Sequence, residues 1–543
     1  MIRMLSLSLA ALFSCAGLQA NAATSYAAAP YSSSAHDVVS SEWSDYQSGQ
    51  EWLQKRLALM ADAGSDAAKA PVARNLIFFL GDGMSVTTLT AGRIFQGQQQ
   101  GKTGEEHFLA FEQFPHSAVI KTYNTNQQTP DSAGTMTALM TGVKTRAGAI
   151  SVGPEQPRSI CSGSDQHRLK TLFEWAEAQG YATGVVTNAR ITHATPAATY
   201  AHSPERNWEG VQDLPQEAIE NGCVDIASQL VDKAFPAGLD VALGGGGRSF
   251  GEPLRERFRS QVKGSLVTQR DQLLALNPND KTPVLGLFSR SHMAYAYDRQ
   301  QSEEVKSAQP SLPEMADFAL KRLQALTRDS DKGFILVIEG ARIDHAHHLG
   351  NAYRALTETS VLGDTVAQVR AATEDDTLMV VTADHSHTLS MAGYPQRGNP
   401  ILGLVKNGEL TLARDSQPYT TLGYANGVGA VSPLWQKLAG QHNHTHTAAN
   451  AYSYTTDKKQ RQNGRFSWMN DGKVMVDTEN PDFCQTSLAR RSSETHGSDD
   501  VALHAEGPGA ERFHGLLEQH SVYHLLRLAL GSATTEAEFA FNE

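Results

Sequence analysis

From about residue 75 to residue 390 the chain alternates short apolar runs with segments whose apolar residues recur every three or four positions. Leu76–Leu80, Ala182–Val186, Gly333–Ile338 and Thr377–Val381 are short apolar runs and read as strands buried on both faces. Leu169–Gln179 (LKTLFEWAEAQ) and Met315–Leu326 have helical spacing, and Gly180 stands where the first should end. Alternation of this kind predicts an α/β fold: a three-layer α/β/α sandwich around a large, mostly parallel sheet. Upstream, Ser41–Met60 predicts a further helix, with a stripe of Trp43, Tyr46, Trp52, Leu53, Leu57 and Leu59. Between about 391 and 490 the pattern fails. Gly, Asn, Gln and Thr dominate there, and the segment reads as an insertion on the core. Its HNHTH tract (His442, His444, His446) reads as incidental, because histidine-rich loops bind metal adventitiously.

The first residues carry a different signal. Arg3, the apolar stretch Leu5–Leu12 and the small residues Ala20-Asn21-Ala22 predict a signal peptide over 1–22. An Ala/Ser-rich flexible segment (23–40) and a body of 41–543 follow. The expected location is periplasmic or secreted; lipid attachment at Cys15 is the poorer alternative, because Phe13 spoils the pattern. No later segment reads as transmembrane. A net charge of −12 excludes a broad nucleic-acid surface but leaves room for a local phosphate pocket. In an oxidising compartment Cys161 and Cys223 can pair, which leaves Cys484 outside that bridge. No cysteine has zinc-finger spacing, so any metal must be held by histidines and carboxylates.

Such residues gather at strand ends. The first strand runs into Asp82, the third into Glu339 followed by Asp344 and His348, and the fourth into Asp384-His385. In open α/β sheets, sites form at the carboxyl ends of the strands. One aspartate there is an ordinary cap; several carboxylates together raise one another's pKa unless cations neutralise them. Carboxylate with imidazole suits zinc, and an all-oxygen neighbour suits magnesium. Within EGARIDHAHH (Glu339–His348), spacing alone leaves His345, His347 and His348 almost equally eligible. Ser132 follows a Pro130-Asp131 turn at the start of a predicted helix, where backbone N–H groups favour anions. By local sequence alone it is a capping serine sooner than a nucleophile, and no GxSxG elbow is present. Thr195 and Arg206 share one further stretch, and a guanidinium can grip two phosphate oxygens at once.

Six segments, FLGDGM, TPDSAGTMTALMTGVKT, HATPAATYAHSPERNW, VIEGARIDHAHH, VTADHSHT and ETHGSDDVALHAEGP, appear in an order that resembles the alkaline phosphatase family. The resemblance spans roughly Asn75 to Pro508. It implies hydrolysis of small phosphate monoesters through a phosphoserine on Ser132, with Arg206 clamping the phosphate. It implies two zinc ions, one held by Asp344, His348 and His496, the other by Asp82, Asp384, His385 and Ser132. One magnesium ion would be held by Asp82, Thr195 and Glu339. His193 and His345 would lie just behind the ligands, and His347 would be structural. The resemblance also implies a Cys161–Cys223 disulfide, a homodimer and a crown-like role for the insertion. The animal-type calcium pattern is broken at Ser289 and Gln309, so no calcium is expected.

Overall fold

The computed structural model describes residues 72–414, 418–429, 467–470 and 473–532, together with Gln47, Leu53 and Lys55. The predicted signal peptide, the segment 23–40, Cys15 and the HNHTH tract lie outside these residues. Of the predicted helix Ser41–Met60, the three described positions are helical, and Leu53 is buried.

Ten strands form one sheet: β1 (Asn75–Gly81), β2 (His116–Lys121), β3 (Ala182–Arg190), β4 (Leu239–Gly245), β5 (Ser265–Val267), β6 (Val284–Leu287), β7 (Phe334–Gly340), β8 (Thr377–Ala383), β9 (Val501–Glu506) and β10 (Gly515–Glu518). Their order is β10-β2-β9-β8-β1-β7-β3-β4-β6-β5. All pairings are parallel except those of β9, which runs against both β8 and β2. The sheet is therefore mostly parallel, as its unbroken apolar runs require. Every residue of β1, β7 and β8 is buried. Such strands cannot alternate polar with apolar, because helices cover both faces.

Two helix groups pack against this sheet. Val86–Gln99, Leu312–Thr327 and Ala352–Ala371 form one; Ser132–Thr141, Ala194–Tyr200 and Gln519–Ala529 form the other. Predicted boundaries shift where caps decide them. Leu312–Thr327 starts three residues before the expected Met315, because Ser311 and Glu314 form a reciprocal capping box. Leu172–Ala178 starts later than Leu169, because Thr171 and Glu174 do the same there. Gly180 has φ +83° just past that helix, the left-handed conformation a glycine adopts at low cost.

The 391–490 region contains regular structure that its composition does not announce. Leu389–Met391, Leu422–Gly427 and Ser487–Arg490 form a three-stranded sheet, and two short antiparallel ladders accompany it. Strands this short carry too few residues for a periodic signal to appear. Cys161 and Cys223 are joined by a disulfide beside the buried Trp208 and Ala218. The buried Cys484 thiol faces the Leu349 carbonyl at 3.4 Å. Among the described residues no helix is long and apolar enough to cross a membrane.

Candidate active site

Sheet register places the first carboxylates. Gly81 of β1 lies opposite Gly340 of β7 on one side and Ala383 of β8 on the other. Asp82 and Asp384 therefore leave their strands side by side, and Glu339 is level with Leu80. One edge, at the carboxyl ends of three neighbouring strands, gathers three acidic groups from distant parts of the chain.

Asp344 and His348 come from helix Arg342–His348, four residues apart on one face. Asp344 Oδ1 lies 3.4 Å from His348 Nε2 and 3.3 Å from His496 Nε2, and those two nitrogens are 3.1 Å apart. Beside this group, His385 Nε2 lies 3.5 Å from Asp82 Oδ1 and 3.4 Å from Asp384 Oδ2. The His385 and His496 rings stack at 3.7 Å, so the two groups share a wall.

Ser132 is not a cap. Asp131 caps the helix Ser132–Thr141, accepting from Gly134 N–H at 3.1 Å. That leaves the buried Ser132 hydroxyl to face His385 Nε2 at 3.0 Å and Asp82 Oδ1 at 3.3 Å. The other oxygen of Asp131 accepts from Arg206 Nη1 at 3.0 Å, so the turn before the serine also aims the guanidinium. The competing local reading of Ser132 is thereby replaced: the capping duty falls on its neighbour.

A third group forms around Glu339. Asp82 Oδ2, Glu339 Oε1 and Thr195 Oγ1 are all buried without a hydrogen-bond partner. Buried oxygens left unpaired cost free energy, and three in one place form the oxygen set that suits a hard cation. The electrostatics agree. Burial, then the charges of Asp384, Asp344 and Glu339, push Asp82 well above the usual carboxylate range. Burial raises Glu339 to about 8, against the Thr187 hydroxyl that donates to it. Asp384 is raised mainly by burial. Asp344 alone is held low: burial pushes it up, but His348, His387 and His496 outweigh that. Four carboxylates buried this close together stay ionised only with positive charge beside them, and the imidazole nitrogens around three of them give a mixed N/O donor set that fits zinc.

Two residues in these clusters lie inside the family-like segments without having been assigned a role from the sequence. His387 Nε2 lies 2.7 Å from Asp344 Oδ1, and its Nδ1 lies 2.6 Å from Glu494 Oε2. Although burial disfavours its charged form, the Glu494 carboxylate and Asp344 raise its pKa to about 10. A signal existed: His387 is two residues from His385, and Glu494 two from His496, a spacing that puts both members of a pair on one side of an extended chain.

His193 and His345, expected just behind the ligands, meet an unexpected third ring, His292. Each ring faces a guanidinium: His193 Nε2 is 3.2 Å from Arg206, His345 Nδ1 is 3.1 Å from Arg342, and His292 Nε2 contacts Arg190. A guanidinium only donates, so these nitrogens accept, and burial keeps all three rings neutral. Arginine charge around the rings opposes a cation, which separates this cluster from the carboxylate-rich ones. His193 also borders the Glu339 group. His347 is fully buried between Tyr424 Oη (2.8 Å) and Thr88 Oγ1 (3.0 Å), a packing role that matches its expected one.

Known proteins share this constellation's setting. The sequence profile of the alkaline phosphatase family matches residues 73–532. The tissue-nonspecific alkaline phosphatase isozyme of Gallus gallus is 38% identical over 485 residues, 84% of each chain. The alkaline phosphatase of Gadus morhua is 35% identical, with 90% of this chain and 96% of that one aligned. In three dimensions, Thermus thermophilus alkaline phosphatase superposes with a TM-score of 0.58 at 23% identity, covering 85% of this chain and 92% of that one; that likeness speaks to the fold. A profile match over nearly all of the described chain, joined by relatives above one-third identity, establishes that this protein belongs to the alkaline phosphatase family.

Proposed function

We propose that this phosphomonoester hydrolase works through a phosphoserine formed on Ser132, at a site that holds two zinc ions and one magnesium ion. The observation that carries the reading is the Ser132 hydroxyl, buried, relieved of capping duty and set between Asp82 and His385. Asp344, His348 and His496 form the first zinc set; Asp82, Asp384, His385 and Ser132 form the second; Asp82, Thr195 and Glu339 form the magnesium set. Divalent ions in such sets supply Lewis acidity and offset charge on the attacking and leaving oxygens.

The chain's own groups do the remainder. Arg206, aimed by Asp131, donates to two non-bridging phosphate oxygens and holds the phosphorus in line with Ser132 Oγ. The serine oxygen gives up its proton to solvent and forms its bond to phosphorus as the bond to the leaving alkoxide breaks, and the alkoxide takes a proton from water. Water then attacks the phosphoserine, releasing inorganic phosphate and restoring the hydroxyl. Carboxylates, imidazoles and serine must all be deprotonated to act as ligands, which favours alkaline conditions.

Ser132→Ala tests the reading directly. It should keep its zinc and magnesium and its fold while losing kcat by at least about 10³-fold. Full activity in that variant removes Ser132 from the mechanism. A dianion-gripping arginine also favours monoesters over diesters and sulfates; faster turnover of bis(p-nitrophenyl) phosphate than of p-nitrophenyl phosphate would refute that preference. A signal-directed periplasmic or secreted location and a homodimer complete the proposal. The disulfide supports an oxidising compartment, and light scattering of the purified protein tests the dimer.

A further inference from the structure

The two ends of the 391–490 insertion return to the same place. Ser386–His387 pairs antiparallel with His496–Gly497, and His387 lies opposite His496. Just before that ladder sits Glu494, its side chain fully buried. Its carboxylate accepts from His387 Nδ1 at 2.6 Å, from the Thr388 backbone N–H at 2.7 Å and from the Thr388 hydroxyl at 2.6 Å. Its main chain grips the other side of the cluster. The carbonyl accepts from His348 Nδ1 at 2.6 Å, and the N–H donates to the His348 carbonyl at 3.0 Å.

One residue thus holds two imidazoles, both converging on Asp344 Oδ1. A bond to Nδ1 fixes an imidazole's tautomer and plane, leaving Nε2 of His348 to act as a ligand. His387, locked from behind by Glu494, in turn donates to Asp344 and fixes the orientation of that carboxylate. The carboxylate's contacts to Thr388 anchor the strand; its contact to His387, together with the main-chain contacts to His348, reaches the cluster.

We propose that Glu494 is a positioning residue for the first zinc set, fastening the far end of the insertion to the ligands Asp344 and His348. The inference rests on the two-zinc reading above. Removing an outer partner of this kind typically weakens metal retention about 10–100-fold.

The test follows zinc and magnesium equivalents per chain by mass spectrometry while the purified holoenzyme is titrated with nitrilotriacetate. In Glu494→Gln, one zinc equivalent should leave at about 10–100-fold lower chelator than in the wild type, while the second zinc and the magnesium stay as before. Its kcat at limiting zinc should fall and recover with excess zinc. Glu494→Asp, which keeps the charge but shortens the reach, should fall between the two, and it carries the comparison if the Gln variant does not fold. Thr388→Val removes one partner of Glu494 without touching His387 or His348, and should retain zinc as the wild type does. Wild-type zinc retention in Glu494→Gln overturns the proposal, as does equal zinc loss in Thr388→Val. A wild-type enzyme that holds no zinc would instead sink the two-zinc reading on which the proposal stands.

Discussion

Arg206 shows how one side chain acquires a role from its neighbours. An isolated arginine in a loop is ordinarily a surface partner, but here its guanidinium spans Asp131 and His193. Asp131 both caps the serine's helix and aims the arginine, so the proposed nucleophile and the proposed clamp are set by one turn. Arg206→Ala should lower kcat/KM for p-nitrophenyl phosphate by about 10²-fold. Arg206→Lys should recover only part of that, since an ammonium lacks the two-pronged geometry. Steady-state kinetics on the two variants decide it; equal activity in Lys and wild type would show that charge alone matters. Ser132, Arg206 and the acidic strand ends were legible because each stands in a segment whose type and order resemble one family. His387 and Glu494 stand in the same segments yet drew no role, and His292 stands outside them, because their roles come from partners 43 to 146 residues away in the first two cases and 102 in the third.

Elements differ in how plainly they show themselves. The central strands β1, β3, β7 and β8 appear in the sequence because burial on both faces leaves no room for polar residues. Their ends are less legible: β3 continues to Arg190, four residues past the apolar run, since pairing with β4 and not hydrophobicity carries it on. The antiparallel β9 and the edge strands escaped notice, as did the short strands of the insertion. The Cys161–Cys223 bridge closes a 62-residue separation around a small apolar cluster of its own. Replacing both cysteines by serine should cost about 2–4 kcal/mol, mainly by freeing the unfolded loop. The urea midpoint of the double variant measures this, with metal content of the folded protein expected unchanged because the bridge packs against Trp208 and Ala218, not against a metal set. An unmoved midpoint would mean that packing around Trp208 suffices.

At the scale of the whole molecule, the active edge stores a charge problem that the fold alone does not solve. Asp82, Glu339 and Asp384 all have pKa values raised by burial, Glu339 to about 8. In metal-free protein these groups bind more protons folded than unfolded. Their contribution is then fully present below the unfolded carboxylate pKa and is lost as pH rises towards 8. Chelated wild-type enzyme should therefore lose thermal stability relative to chelated Glu339→Gln from about pH 5 to pH 8; the comparison cancels the buried neutral histidines, whose lowered pKa values act in the opposite direction. Zinc with magnesium should restore the lost stability. Scanning calorimetry of the two proteins across this range is the check, and a stability difference that does not change with pH would contradict the assignment. The same chelated enzyme should be inactive on p-nitrophenyl phosphate until both metals return.

The sequence by itself determined the sheet's apolar strands, the acidic and histidine residues at their ends and the resemblance that joins them, because buried backbone demands apolar runs and the chemistry demands particular side chains. Local spacing alone left the histidines of EGARIDHAHH almost equally eligible and made Ser132 a cap sooner than a nucleophile; the resemblance supplied the expected roles but not what holds the cluster from behind. Only tertiary structure shows which of these side chains meet, for a physical reason. Register brings Gly81, Gly340 and Ala383 level, a capping bond falls to Asp131, and the ladder across the insertion delivers His496 to Asp344 and Glu494 to His387. Each depends on long-range pairing, and no local pattern encodes a contact whose two halves lie a hundred residues apart.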